Sequence, residues 1–177
     1  MHKFWLHFKL ITKHRWYVFK LAIKAGIPFR GLVHDLSKYS LTEFLESAKY
    51  YQGNRSPITI ARNEQGYSKA WLHHRSKNKH HIEYWYDWNA KETPIIPYKC
   101  AVEMLCDHIA AGQAYRGKNW KKEYVLEYWN ERETSRNLFN PKTERFITVI
   151  KEEIAQKGID EVMNKKHLKE QYNKYCT

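Results

Sequence analysis

Apolar and polar positions alternate with a helical period through most of the chain. His7, Ile11, His14, Val18, Leu21, Ala22 and Ala25 recur at helical spacing while Lys13, Lys20 and Lys24 fall elsewhere on the wheel, which predicts a long first helix over 7–25. Gly26 followed by Ile27-Pro28 closes it, as a glycine cap with a proline just beyond does. The segment 32–38 then reads as one or two helical turns. Ser40 with Glu43 three residues on has the form of a capping box, and Leu41, Phe44, Leu45, Ala48 and Tyr51 make the stripe of a helix over 41–51. Between Gly53 and Gly66, Asn54, Pro57 and Asn63 stand among few large apolar residues, so that stretch is expected to be a surface loop able to act as a lid.

Helical spacing resumes over 67–78 with Ala70, Trp71 and His74, and is expected to continue over 79–88. After the rigid bend at Ile95-Ile96-Pro97, the residues Cys100, Glu103, Met104, Asp107, Ala110, Ala111 and Ala114 share one face of a helix over 98–115. Three more helices are predicted over 120–133, 141–156 and 160–175, the second capped by Asn140 with Pro141 at its first position. The expected fold class is all-α. Only 7 Gly and 5 Pro agree with long helices rather than the frequent turns of a β-sandwich.

The 177 residues fit a single domain, and 42% hydrophobic with 15% aromatic residues supply a core. Thirty-one Lys+Arg against 19 Asp+Glu leave a net charge of +12, which suits an anionic partner without naming one. No stretch is apolar for long enough to span a bilayer, and the first eleven residues mix Lys and His into their apolar positions, unlike a signal peptide. No membrane partner and a cytoplasmic location are therefore expected. The 3 Cys have no CxxC spacing; Cys100 and Cys106 read as buried thiols.

The 10 His change the picture. His14 and Asp107 sit on apolar helix faces, where an uncompensated polar side chain costs roughly 2 to 7 kcal/mol and a carboxylate more. A divalent cation compensates both, since imidazole and carboxylate are its ordinary ligands.

The order His14, His34-Asp35, His74, His80, Asp107 resembles the H…HD…H…H…D arrangement of the HD superfamily of metal-dependent phosphohydrolases. The strings RGLVHDLSKYS at 30–40, AWLHHRSKNKHHIEYW at 70–85 and EMLCDH at 103–108 look like those of an uncharacterised bacterial and phage family placed in that superfamily. The resemblance covers residues 4–115 and implies an HD-like helical bundle extended by C-terminal helices over 118–177. It implies that His14, His34, Asp35 and Asp107 hold one metal, and that His74 and His80 complete a second site bridged by Asp35. In the doublets, His73 or His81 could replace the chosen partner. One or two divalent ions are expected, with Fe, Mn, Zn, Mg and Ni not distinguished.

The implied activity is hydrolysis of a phosphomonoester or phosphodiester in a nucleotide or another small anionic substrate, using an activated water. Asp35 and Lys38 are the expected catalytic residues; the HDxxK pattern resembles phosphodiesterases whose lysine contacts phosphate, and Arg30 could add a second phosphate contact. Glu103 and Glu83 are candidates to orient histidine N–H groups. Trp71, Trp85 and Trp88 read as core and pocket wall. Two other readings compete: a di-iron oxygenase, which some superfamily members are, and a non-catalytic nucleic-acid-binding module. No helix-turn-helix or zinc finger is visible to favour the latter.

Overall fold

A computed structural model describes residues 2–177. Among the described residues the secondary structure is helical throughout, with no strand. Eleven α-helices follow in order: α1 (His2–Lys24), α2 (Pro28–Val33), α3 (Leu41–Lys49), α4 (Pro57–Gln65), α5 (Lys69–Lys77), α6 (Tyr98–Arg116), α7 (Tyr124–Asn130), α8 (Glu133–Arg136), α9 (Pro141–Lys157), α10 (Ile159–Val162) and α11 (Lys165–Cys176). Among the described residues no helix is long and apolar enough to cross a membrane.

The central layer is α1 packed along α6, with α2 laid on α1. On one side α3 joins α4 and α5; on the other, α9 gathers α7, α10 and α11. The main apolar cluster runs from Val18 and Leu21 through Ala101, Leu105 and Ile109 to Phe146, Ile150 and Leu168. Burial of such side chains at about 25 cal/mol per Å² is the principal stabilising term.

Two backbone features set the angle at which α2 meets α1. Gly26 takes φ +74°, the left-handed cap that ends α1. Gly31 has no side chain because none fits: a Cβ there would lie 2.4 Å from that of Ala22. This close approach brings the residues after α2 over the middle of α1. Arg15 fixes them, donating from Nε to the His34 carbonyl at 2.7 Å and from Nη2 to the Leu32 carbonyl at 2.8 Å.

Four expectations about elements need correction. The segment expected as a loop over 53–66 contains α4: Pro57 occupies its first turn, where a missing N–H costs nothing, and Gly66 ends it at φ +81°. Pro57, Ile60 and Ala61 are buried. The helix expected over 79–88 is a single 3₁₀ turn, Ile82–Tyr84, because Asn78 caps α5 and the chain leaves helical geometry there. The helix expected over 120–133 is confined to Tyr124–Asn130, and that over 160–175 is broken between Val162 and Lys165. Trp88, expected in the core or pocket wall, is 86% exposed. All three cysteines are buried and free.

Candidate metal centre

His34 and Asp35 lie in the corner between α2 and the 3₁₀ turn Leu36–Tyr39. Asp35 is the only non-glycine residue of positive φ among those described, at φ 53° and ψ 26°. This left-handed conformation costs an ordinary L-residue about 1 kcal/mol, less for Asp, and it aims the carboxylate inward.

Four side chains from three segments, His14, His34, Asp35 and Asp107, converge on one point. His14 Nε2, from the buried face of α1, lies 3.0 Å from Asp107 Oδ1 and 3.7 Å from Asp35 Oδ2. His34 Nε2 is 3.2 Å from Asp35 Oδ2, 3.5 Å from Asp107 Oδ1 and 3.4 Å from His14 Nε2. The other Asp35 oxygen faces a second group. Oδ1 stands 3.3 Å from His74 Nε2 and 3.4 Å from His80 Nε2, while His81 Nε2 approaches His74 Nε2 to 2.9 Å. Within each set, His14/His34/Asp35/Asp107 and Asp35/His74/His80/His81, the donor atoms lie within 4.8 Å of one another.

All six residues named from the sequence as ligands are thus brought together. His81 joins them because α5 stops at Lys77: on a continuous helix His80 and His81 would diverge by about 100°, whereas in the irregular turn their ring centroids are 4.2 Å apart. His73 is directed elsewhere, its Nδ1 lying 2.7 Å from Glu43 Oε1.

The reverse sides of the rings are held by two buried glutamates. Glu103 Oε1 accepts from His34 Nδ1 at 3.0 Å and lies 3.2 Å from His80 Nδ1, and its Oε2 accepts from Arg30 Nε at 2.6 Å. Glu43 Oε2 is 2.7 Å from His74 Nδ1. Protonation at Nδ1 leaves the Nε2 lone pairs of His34, His74 and His80 pointing at the centre, the arrangement by which carboxylates orient metal-binding imidazoles. The compact set His34/His80/Glu103 is therefore this supporting layer. Glu83, the other expected orienting acid, makes no ion pair among the described residues; Glu43 takes that place.

Glu43 escapes a sequence reading because Ser40 three residues before it already accounts for it as a capping box. Only half of that box forms: Ser40 Oγ accepts from the Glu43 N–H at 3.4 Å, but the carboxylate goes to the histidines. Arg30, expected to meet a substrate phosphate, is paired with Glu103. Lys38 Nζ stands 2.5 Å from Asp35 Oδ2, with 27% of its side chain exposed. Trp71 walls the second group, 4.9 Å from His81.

Burial pushes the Asp35 and Asp107 carboxyls up, yet both are held well below the usual range, Asp35 by His34, Lys38 and His74 and Asp107 by His14 and His34. Burial opposes a charge on His34, but Asp35, Asp107 and Glu103 raise it well above its ordinary value. The field that draws a proton onto His34 is one that a divalent cation would answer instead, so proton and metal compete. His80 and His81 are shifted down by burial and by neighbouring imidazoles, toward the neutral form a ligand requires.

The donor set fits a cation on one further observation. Asp35 Oδ1 and His80 Nε2 are buried with no hydrogen-bond donor aimed at either, whereas Asp35 Oδ2 has the Lys38 ammonium beside it. Buried polar atoms are rarely left so, and these two face each other in the second group.

Fold and side chains together define an all-helical protein with a buried histidine and carboxylate centre. The chain belongs to the Family of unknown function (DUF5662), whose model matches residues 3–153. No curated protein and no solved structure matches it.

Proposed function

We propose that the chain is a metal-dependent phosphohydrolase that cleaves a phosphomonoester or phosphodiester in a nucleotide or other small phosphorylated substrate. The observation that carries this reading is the division of one carboxylate, with Asp35 Oδ2 turned to His14, His34 and Asp107 and Oδ1 turned to His74, His80 and His81. Two divalent ions held by these residues would supply a water acidified toward neutrality and would polarise a phosphoryl oxygen.

The chain's own residues do the rest. Asp35 bridges the two groups, and its left-handed backbone keeps both oxygens inward. Glu43 and Glu103 hold the imidazole N–H groups, so the ring positions are set before substrate arrives. Lys38 is the one cation at the bridge with an exposed flank, placed to pass from Asp35 to a phosphate oxygen. Arg30 acts through Glu103 and not on substrate.

Element-resolved metal analysis of untagged protein, followed by a phosphoester panel with the metal found, tests the reading. It expects about one or two divalent ions per chain and turnover that Asp35→Ala abolishes. Protein that hydrolyses phosphoesters without metal, or undiminished turnover in Asp35→Ala, refutes it.

The third imidazole in the second group, His81, favours one alternative: three histidines suit iron, and a di-iron centre would use dioxygen to oxidise its substrate. Full activity with zinc, manganese or magnesium under anaerobic conditions removes that alternative.

A further inference from the structure

The back of α1 carries a second feature, unconnected with the metal chemistry. At 100° per residue, Trp5, Phe8, Trp16, Phe19 and Ile23 fall in one stripe about 80° wide, opposite the buried face that presents His14. Trp5 and Trp16 are each 57% exposed and Ile23 52%. The α2 segment extends this stripe sideways. Gly31 rests against Phe19, Tyr39 stands 5.8 Å from Phe8, and Arg15 ties Leu32 down, so Phe29, Leu32, Val33 and Leu36 flank the same seam and are also exposed. Monomeric soluble proteins seldom leave so many large apolar side chains together in water.

Charge identifies what covers this face. The first acidic residue of the chain is Asp35, which is buried in the metal centre. Along the other edge of the stripe run Lys9 and Lys20, both exposed, with Lys9 Nζ lying 5.2 Å from the Trp5 ring centroid, while the neighbouring Lys13 turns its ammonium to the Ala114 carbonyl. A second copy meeting this face by two-fold symmetry would find no carboxylate to pair with the lysines, since none occurs in α1 or α2. A nucleic acid would satisfy the lysines and stack on the indoles, yet it would leave Ile23, Leu32, Val33 and Leu36 facing phosphate and water. A bilayer interface answers both halves: hydrocarbon takes the aliphatic and aromatic side chains, and anionic headgroups take the lysines, whose long stems reach outward from an apolar surface.

We propose that the seam of α1 and α2 is a peripheral docking face for an anionic lipid bilayer, with α1 lying flat in the headgroup region. The candidate ligand His14 lies on the buried face of the same helix, away from the stripe.

The test is co-sedimentation of the full chain with phosphatidylcholine vesicles, with and without phosphatidylglycerol, at low and high salt. The expected result is pelleting with the anionic vesicles, a blue shift of tryptophan emission, and release by salt. Trp5→Ser combined with Trp16→Ser should weaken partitioning about tenfold or more. Lys9→Glu combined with Lys20→Glu, a second variant that leaves the apolar residues in place, should weaken it by a similar factor and flatten the salt dependence. Circular dichroism melts identify any variant that has lost its fold, in which case the other decides. Absence of pelleting with anionic vesicles overturns the proposal, as does unchanged pelleting of the folded variants. A dimer in sedimentation equilibrium that Trp16→Ser dissolves also overturns it, since the face then belongs to a second copy. None of these readouts depends on metal content or turnover.

Discussion

Glu103→Gln isolates the support of the candidate metal centre from the centre itself. The substitution keeps the side-chain size and removes the charge, but the amide must place its NH₂ against existing donors. Facing His34 and His80, it opposes two ring N–H groups; turned the other way, it opposes the Arg30 guanidinium. The magnitude follows from the carboxyl: burial raises it, yet the hydrogen bonds from His34 and His80 bring it from its ordinary 4.5 down to about 2. At 1.36 kcal/mol per unit that difference is about 3 kcal/mol of stability. The side chain is nearly fully buried, so solvent screening takes little away.

Since the folded-state value lies below the unfolded one, this stability is present above about pH 4.5 and is lost as pH falls toward 2. Urea denaturation of metal-stripped Glu103→Gln at pH 7 should show a loss of about 3 kcal/mol, with a flatter acid limb than the parent. Competition with a chromophoric chelator should show metal affinity lowered by roughly 10- to 100-fold. A variant with parent stability and parent metal affinity would show that Glu103 neither holds the histidines nor matters to the centre.

Three further substitutions probe other parts of the structure. Gly31→Ala should cost about 1–3 kcal/mol by thermal melt, because its methyl has no room against Ala22; unchanged stability would mean that α2 does not lie where described. His7 is buried against Phe44 and Tyr51 and is lowered to about 4 by burial and then by Lys38, so its folded-state value lies below the unfolded 6.5. An imidazole of that kind destabilises the fold as pH falls from 6.5 to 4, and His7→Phe should remove that part of the acid sensitivity in denaturation curves taken across the window. Lys151 is buried without a carboxylate partner, its Nζ 3.1 Å from His108 Nδ1, and burial followed by Arg132 lowers it to about 7. Lys151→Met should therefore stabilise the protein at pH 7 by on the order of 4 kcal/mol, with the gain shrinking as pH rises toward 10.5; a destabilised variant would contradict this.

The periodicity of α1 and α6 was legible because each is long and buries one face, which places His14 and Asp107 inward in the sequence pattern itself. Short elements were not, because their punctuation is ambiguous. Pro57 and Gly66 can bound a loop or begin and end a nine-residue helix, and only the packing of Ile60 and Ala61 decides. The order of histidines and aspartates anticipated which side chains meet around Asp35, since that order survives any error in the elements between them. What it could not supply was the direction of each ring. The contributions of Glu43 and His81 depend on a helix stopping at Lys77 and on a carboxylate turning away from its own N-terminus, both consequences of tertiary contact.

The residues around Asp35 come from α1, the corner after α2, α5, the turn beyond it and α6, so the stretch from His14 to Asp107 encloses more than half of the chain. An ion bound there would act as a cross-link, closing several long loops at once in a protein whose thiols form no disulfide. Such a clasp cannot close until α6 has been synthesised, and opening it would release α3, α4 and α5 together. Metal loading would then govern how long the folded chain persists.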